Sequence, residues 1–334
     1  MDRPMTVVIT GGSAGVGRAC ARAFAARGYD VGLIARGEER LEDVAAEVRV
    51  LGRRAVAVSA DVADADAVEA ATERFETELG PIDVWVNNAM TSIFAPIAET
   101  GPDELRRVTD VTYHGYVHGT MSALRRMRPR DQGVIIQVGS ALAYRSIPLQ
   151  AAYCGAKHAV VGFTDSLRCE LIHDGSAVRV TAVHLPAINT PQFRWVRSRL
   201  PRKAQPVPPI FQPEVAAQAI VWAAEHERRE LLVGWPTVFG ILGHKLVPGF
   251  MDRYLADAAW AGQMLERPLP ERPDNLWQPV PGHQAARGAF DARAQADSPL
   301  LWADTHRGVV AAGLVAAIAT VAGVLVGARH RFDD

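Results

Sequence analysis

The chain has 334 residues, with 36 Lys and Arg against 37 Asp and Glu, so its net charge is −1. That balance excludes the strongly basic surface of a nucleic-acid binder, and the length suffices for one large core. The three cysteines, Cys20, Cys154 and Cys169, form neither a disulfide framework nor a zinc spacing, and read as reduced thiols of a cytosolic protein.

Met5–Thr10 is an apolar, β-branched run of strand length. It leads into Gly11-Gly-Ser-Ala-Gly15-Val-Gly17, after which apolar residues recur at helical spacing through Ala26. Strand, glycine-rich turn and helix are the context of a dinucleotide site, because glycines allow close backbone approach and the helix N-terminus faces a pyrophosphate. A second strand, Asp30–Ala35, is followed by Arg36 where an acidic residue would hold a ribose 2′-hydroxyl. A guanidinium there favours a 2′-phosphate, hence NADP(H) over NAD(H).

Further on, the pattern predicts a strand at Ala55–Ser59, a helix over Asp64–Leu79, a strand at Ile82–Val86 and a long helix over Asp103–Arg128. Strand Val134–Val138 with Gly139 precedes Ser140, and a helix is predicted over Ala151–Ile172. Strand Val178–Val183, a helix near Pro213–Glu225 and a last strand at Leu231–Val233 complete the alternation. Alternation implies an α/β fold, a Rossmann-type doubly wound parallel sheet with helices on both faces. No zinc or other metal spacing is present.

Tyr153 and Lys157 stand four apart on the helix predicted from Ala151, which puts both on one face. An ammonium beside a phenol favours the phenolate and draws its pKa toward the working range. Lys157 is one of only three lysines, with Lys203 and Lys245, in an arginine-rich chain. A lysine against that background is chosen for its compact, tunable charge.

Together these residues resemble the short-chain dehydrogenase/reductase family over roughly residues 5–235. Thr10, Gly11, Ser13, Ala14, Gly15, Val16 and Gly17 match its cofactor loop, Asp61 and Val62 its adenine contact, and Asn87-Asn88-Ala89 its sheet-bracing element. Ser140, Tyr153 and Lys157 match its catalytic residues, and Pro186, Ile188 and Thr190 its segment over the nicotinamide. Met90 and Ala187 stand where the family has glycines. The resemblance implies that Tyr153 moves a proton to or from a carbonyl or alcohol oxygen. It further implies that Lys157 lowers the Tyr153 pKa and holds the nicotinamide ribose, and that Ser140 steadies the substrate oxygen. Asn88, Ala89, Tyr153 and Lys157 are further candidate cofactor-binding residues.

One departure concerns Thr112, which stands where the family has an Asn whose water serves the proton relay to the lysine. Thr112 is kept as a candidate catalytic residue, with His114 as a possible alternative route. The family also implies a homodimer or tetramer through the helices that hold Thr112 and Tyr153. It implies a mobile substrate lid over residues 190–212, whose Phe193, Trp195 and Phe211 favour a bulky, lipophilic small molecule. Arg194, Arg197, Arg199, Arg202 and Lys203 in the lid suit either an anionic substrate group or a solvated face.

Residues 236–306 leave the family pattern: 238–248 is apolar, and 266–306 reads as an extended linker. Gly308–Ala328 is an uncharged run of 21 residues flanked by Arg307 and Arg329, long enough for a transmembrane helix. The expectation is a cytoplasmic catalytic domain with a tail anchored in a membrane. Its activity would be carbonyl–alcohol interconversion with NADP(H). The alternatives are a nucleotide-binding scaffold or sensor of the same fold, and epimerisation or dehydration at the same site.

Overall fold

The computed structural model describes residues 3–313 and 315. Seven parallel strands form the central sheet: β1 (Thr6–Thr10), β2 (Asp30–Ala35), β3 (Ala55–Ser59), β4 (Val84–Asn87), β5 (Val134–Ser140), β6 (Arg179–Leu185) and β7 (Glu230–Leu232). Their order is β7-β6-β5-β4-β1-β2-β3. The order reverses between β1 and β4, and ligands of doubly wound sheets bind in the crevice beyond the carboxyl ends at such a point.

Strands covered on both faces need apolar residues at consecutive positions. Strand β1 meets that need, and its side chains alternate between two cores. Val7 and Ile9 point to the layer built by α1 (Gly15–Ala26), α2 (Glu38–Val50) and α7 (Pro213–Glu225), with Phe24, Val48 and Ile220. Val8 points to the opposite layer, built by α3 (Ala65–Leu79), α5 (Gly115–Met127) and α6 (Ala151–His173), with Phe75, Met127 and Leu167. The buried Asp30 at the head of β2 is clamped by Arg53 (2.6 Å) and Arg54 (2.7 Å).

The long helix expected over 103–128 is interrupted. Helix α4 (Pro102–Thr109) passes into a wide π turn at Asp110–His114 before α5 begins. Such turns carry an extra residue and concentrate at functional sites. Thr112 lies in the turn, and its hydroxyl accepts from Thr91 N (3.1 Å) and donates to Thr91 O (3.0 Å). The wide turn thereby ties the helix to the loop after β4.

The stretch 266–306, expected to run as a linker, instead crosses the carboxyl edge of the sheet. Residues 264–268 pair with 202–204, and 294–295 with 210–211, which in turn pair with 187–188. Arginines complete the attachment by donating to main-chain carbonyls: Arg18 to Gln284, Arg40 to Val280, and Arg36 to Asn275, Leu276 and Trp277. These bonds satisfy carbonyls that no regular ladder serves, which composition cannot foretell. The apolar run 238–248 falls in a hairpin of α8 (Trp235–Leu246) and α9 (Pro248–Gly262).

The candidate membrane span 308–328 lies outside the described residues from 316 onward. Among the described residues no helix is long and apolar enough to cross a membrane. Cys20 and Cys154 are buried and Cys169 is exposed, all three free.

Helix α1 approaches β1 so closely that a Cβ at Gly17 would lie 2.2 Å from the carbonyl oxygen of Gly11. Backbone cannot yield as a side chain does, so Gly17→Ala is expected to cost about 2 kcal/mol or more. Denaturant unfolding checks this; a loss below about 0.5 kcal/mol would mean that the loop shifts freely.

Candidate active site

The carboxyl ends of β1, β4, β5 and β6 open into one cavity of about 920 Å³. One arm runs along the glycine-rich turn, and the other reaches the α8–α9 hairpin.

At the first arm, Gly11 and Gly15 hold positive φ of 68° and 56°. That region suits glycine, and a Cβ at Gly11 would lie 2.8 Å from Ala89 Cα. Ser13, Ala14, Gly15 and Val16 line the cavity. Thr10 and Gly17 lie behind it as supports. Thr10 Oγ1 accepts from Asn88 N (2.9 Å) and Ala89 N (3.1 Å), and Asn88 Nδ2 donates to Thr10 O (2.9 Å). Beneath them Asn87 is held by Trp85 (2.8 Å), Thr120 (3.0 Å) and Gln137 (3.0 Å), which fixes the loop carrying Asn88 and Ala89. The Gly15 N–H donates to Ala285 O (3.2 Å), so the C-terminal stretch roofs this arm.

Arg36 and Arg40 line the same arm, with Asp61 and Val62 opposite. Asp61 pairs with Arg107. Among the described residues no carboxylate pairs with Arg36 or Arg40. Burial, together with the guanidinium groups of Arg107 and Arg40, holds the Arg36 pKa below its usual range. Three guanidinium groups thus face one carboxylate where the second strand ends. Sequence reasoning found Arg36 but missed Arg40 and Arg107, which stand on helices with no motif to mark them.

On the floor, Ser140 ends β5 and its Oγ accepts from Leu142 N (3.1 Å), which turns the chain away and leaves the hydroxyl at the cavity. Tyr153 and Lys157, one turn apart on α6, both line the cavity. Lys157 is 2% exposed; its Nζ donates to Tyr116 Oη (2.7 Å) and Val138 O (2.7 Å). Burial lowers its pKa to about 7. Burial also pushes the Tyr153 phenol above its ordinary value, opposed by the Ser140 hydroxyl. The Lys157 Nζ stands 5.8 Å from the centre of the Tyr153 ring.

Thr112 is fully buried, does not line the cavity, and has its hydroxyl taken by Thr91. His114 bonds Asp110 (2.9 Å) on the exposed side of the helix. The group that meets Lys157 is Tyr116, which sequence reasoning missed. Its position one turn after Thr112, on the same face, was the available signal.

Pro186, Ile188 and Thr190 line the cavity above Tyr153, with Met90 and Ala187 beside them. In the lid, Arg197 and Arg199 are turned to Glu104, which also accepts from Gly101 N. Burial raises the Glu104 pKa, but hydrogen bonds from Arg199, Gly101 and Arg197 overcome it and hold the carboxyl at about 2. Those two arginines are tied to Glu104, although Arg199 is exposed, as are Arg194, Arg202 and Lys203. The second arm is lined by Phe94, Phe193, Trp235, Phe239, Leu242, Met251 and Tyr254. Among the described residues no cluster of His, Cys, Asp or Glu could hold a metal ion.

Comparison with known proteins agrees with this layout. The sequence model described as short chain dehydrogenase matches residues 5–200. The chain is 34% identical over 276 residues to the uncharacterized oxidoreductase YxnA of Bacillus subtilis, covering 82% of this chain and 77% of that one. It is 35% identical over 195 residues to dehydrogenase/reductase SDR family member 7B of Bos taurus, covering 56% and 59% respectively. A crystal structure of a short-chain dehydrogenase from Streptomyces avermitilis superposes with a TM-score of 0.65 at 28% identity, covering 76% of this chain and 97% of that one. A parallel seven-stranded sheet, a glycine-lined arm and a Ser–Tyr–Lys floor thus occur in a chain that belongs to the short-chain dehydrogenase/reductase family of oxidoreductases.

Proposed function

We propose that this chain is an NADP(H)-preferring reductase that interconverts a carbonyl and a secondary alcohol on a lipophilic small molecule. The observation that carries this reading is the convergence of Ser140, Tyr153 and Lys157 on the floor between a guanidinium-rich arm and an aromatic one. A family member uses a nicotinamide dinucleotide, and the residues fit one. Gly11, Ser13, Ala14, Gly15 and Val16 line the arm, and α1 presents its N-terminus to it. Arg36 and Arg40 supply positive charge without a paired carboxylate, which supports a phosphorylated ribose.

When bound, the nicotinamide supplies or takes a hydride. Ser140 donates to the substrate oxygen and steadies its developing charge. Tyr153 gives that oxygen its proton. A phenol is protonated at neutral pH, so Tyr153 stands in the form that can donate a proton. Lys157, held below, places a titratable cation beneath the phenol.

Phe239, Leu242 and Tyr254 both line the second arm and stand exposed at its mouth. That apolar opening supports a lipophilic substrate, and with the uncharged run 308–328 it supports a membrane-tethered enzyme. Met121 on α5 and Ile172 on α6 are exposed, which supports assembly of a homodimer or tetramer through those helices.

Tyr153→Phe is expected to lower turnover on hydrophobic ketones at least about 100-fold with the fold intact by circular dichroism; retained turnover would move the proton donor elsewhere. Arg36→Asp is expected to weaken NADPH binding, read by cofactor fluorescence, and to favour NADH. Unchanged selectivity would remove the phosphate-clamp role. In fractionation without detergent the full chain should sediment with membranes and be released by detergent but not by salt; recovery in the soluble fraction would end the tethered reading.

A further inference from the structure

The buried ammonium of Lys157 poses a physical problem. Among the described residues no carboxylate pairs with it, and a buried cation without partners is costly. Its oxygen partners are two: the Tyr116 hydroxyl at 2.7 Å and the Val138 carbonyl at 2.7 Å. Tyr116 Oη in turn donates to Val138 O at 2.9 Å, which closes a three-membered ring of hydrogen bonds. The ammonium also lies 4.3 Å from the centre of the Tyr116 ring, within cation–π range. Tyr116 is 1% exposed and still lines the cavity beside Lys157.

Three elements converge to make this contact. The π turn at Asp110–His114 sets the phase of α5, so that Tyr116 faces the sheet. Strand β5 brings the Val138 carbonyl two residues before Ser140. Helix α6 lowers Lys157 between them. Thr112, one turn before Tyr116, faces Thr91 and makes no bond to Lys157.

We propose that Tyr116 is a positioning residue that holds the Lys157 ammonium beneath Tyr153. This deepens the proposed reductase reading, since it concerns the same Tyr153–Lys157 pair. The titratable groups facing Lys157 are Tyr116 from α5 and Tyr153 from its own helix, with Cys154 adjoining Tyr153.

With only three lysines in the chain, the Lys157 ionisation can be followed directly by NMR of the full protein labelled at the lysine ε-carbons. Tyr116→Phe deletes the hydroxyl and keeps the ring. It removes an acceptor for the charged form, so the Lys157 midpoint should fall by about one pH unit. Thr112→Val should move it by less than about 0.3 unit. An unchanged midpoint in Tyr116→Phe, or an equal shift in Thr112→Val, would overturn the proposal. Should Tyr116→Phe not fold, the wild-type chain labelled at the tyrosine ζ-carbons decides. A step in the Tyr116 signal at the Lys157 midpoint supports the contact, and its absence overturns it. None of these readouts uses turnover, so failure of the reductase reading, seen in Tyr153→Phe, is separate from failure here.

Discussion

The buried amine of Lys157, with no carboxylate partner among the described residues, organises the floor of the cavity. Lys157 is tolerated at that depth because two oxygens reach it, one from the middle of the sheet and one from a neighbouring helix. Each oxygen fixes an element. The Val138 carbonyl belongs to the strand that ends in Ser140, and Tyr116 belongs to the helix that follows the π turn. Holding the cation therefore also sets where Ser140 and Tyr153 stand relative to each other. A charge deprived of water is sensitive to every neighbouring dipole.

The rest of the site depends on close backbone approach. Gly17 against Gly11, and Gly11 against Ala89, bring α1, β1 and the loop after β4 closer than any side chain would allow. The Thr10 hydroxyl fills the remaining space by accepting two N–H groups, so those donors are satisfied without water. The result is a rigid shelf along one arm of the cavity. The other arm is built from side chains of the lid and the α8–α9 hairpin, elements with exposed apolar surface and few ties to the sheet.

Much of this was legible in the sequence because the physics is local. The strands are apolar runs, the glycines mark a turn, and Tyr153 and Lys157 share a face by spacing alone. The parallel sheet and the two helical layers follow from alternation, whereas the strand order comes from the structure. What was not legible depends on partners far away in sequence. Residues 266–306 look like a linker because their anchoring groups are main-chain carbonyls, and the arginines that reach them sit up to 266 positions away. The π turn has no propensity signature, so a continuous helix was expected and Thr112 was assigned to the relay. Beyond the wide turn it is Tyr116 that bonds Lys157, while the Thr112 hydroxyl bonds Thr91. Spacing likewise shows that a cation is near Tyr153 but says nothing of how deeply Lys157 is buried.

The two arms also differ in how they manage charge. At the nucleotide arm, Arg36 and Arg40 donate to carbonyls of residues 275–280, and these bonds satisfy the N–H groups without cancelling the positive charge. Asp61, tied to Arg107, opposes Arg36, and Glu39 opposes Arg40. An excess of guanidinium thus persists under a roof of backbone, with the neutral carbonyls of that roof as its hydrogen-bond partners. Carboxylates in those places would have satisfied the same hydrogen bonds and repelled a phosphate. Carbonyls order the arginines, leave the field positive, and so keep the arm complementary to an anion at the end of the second strand.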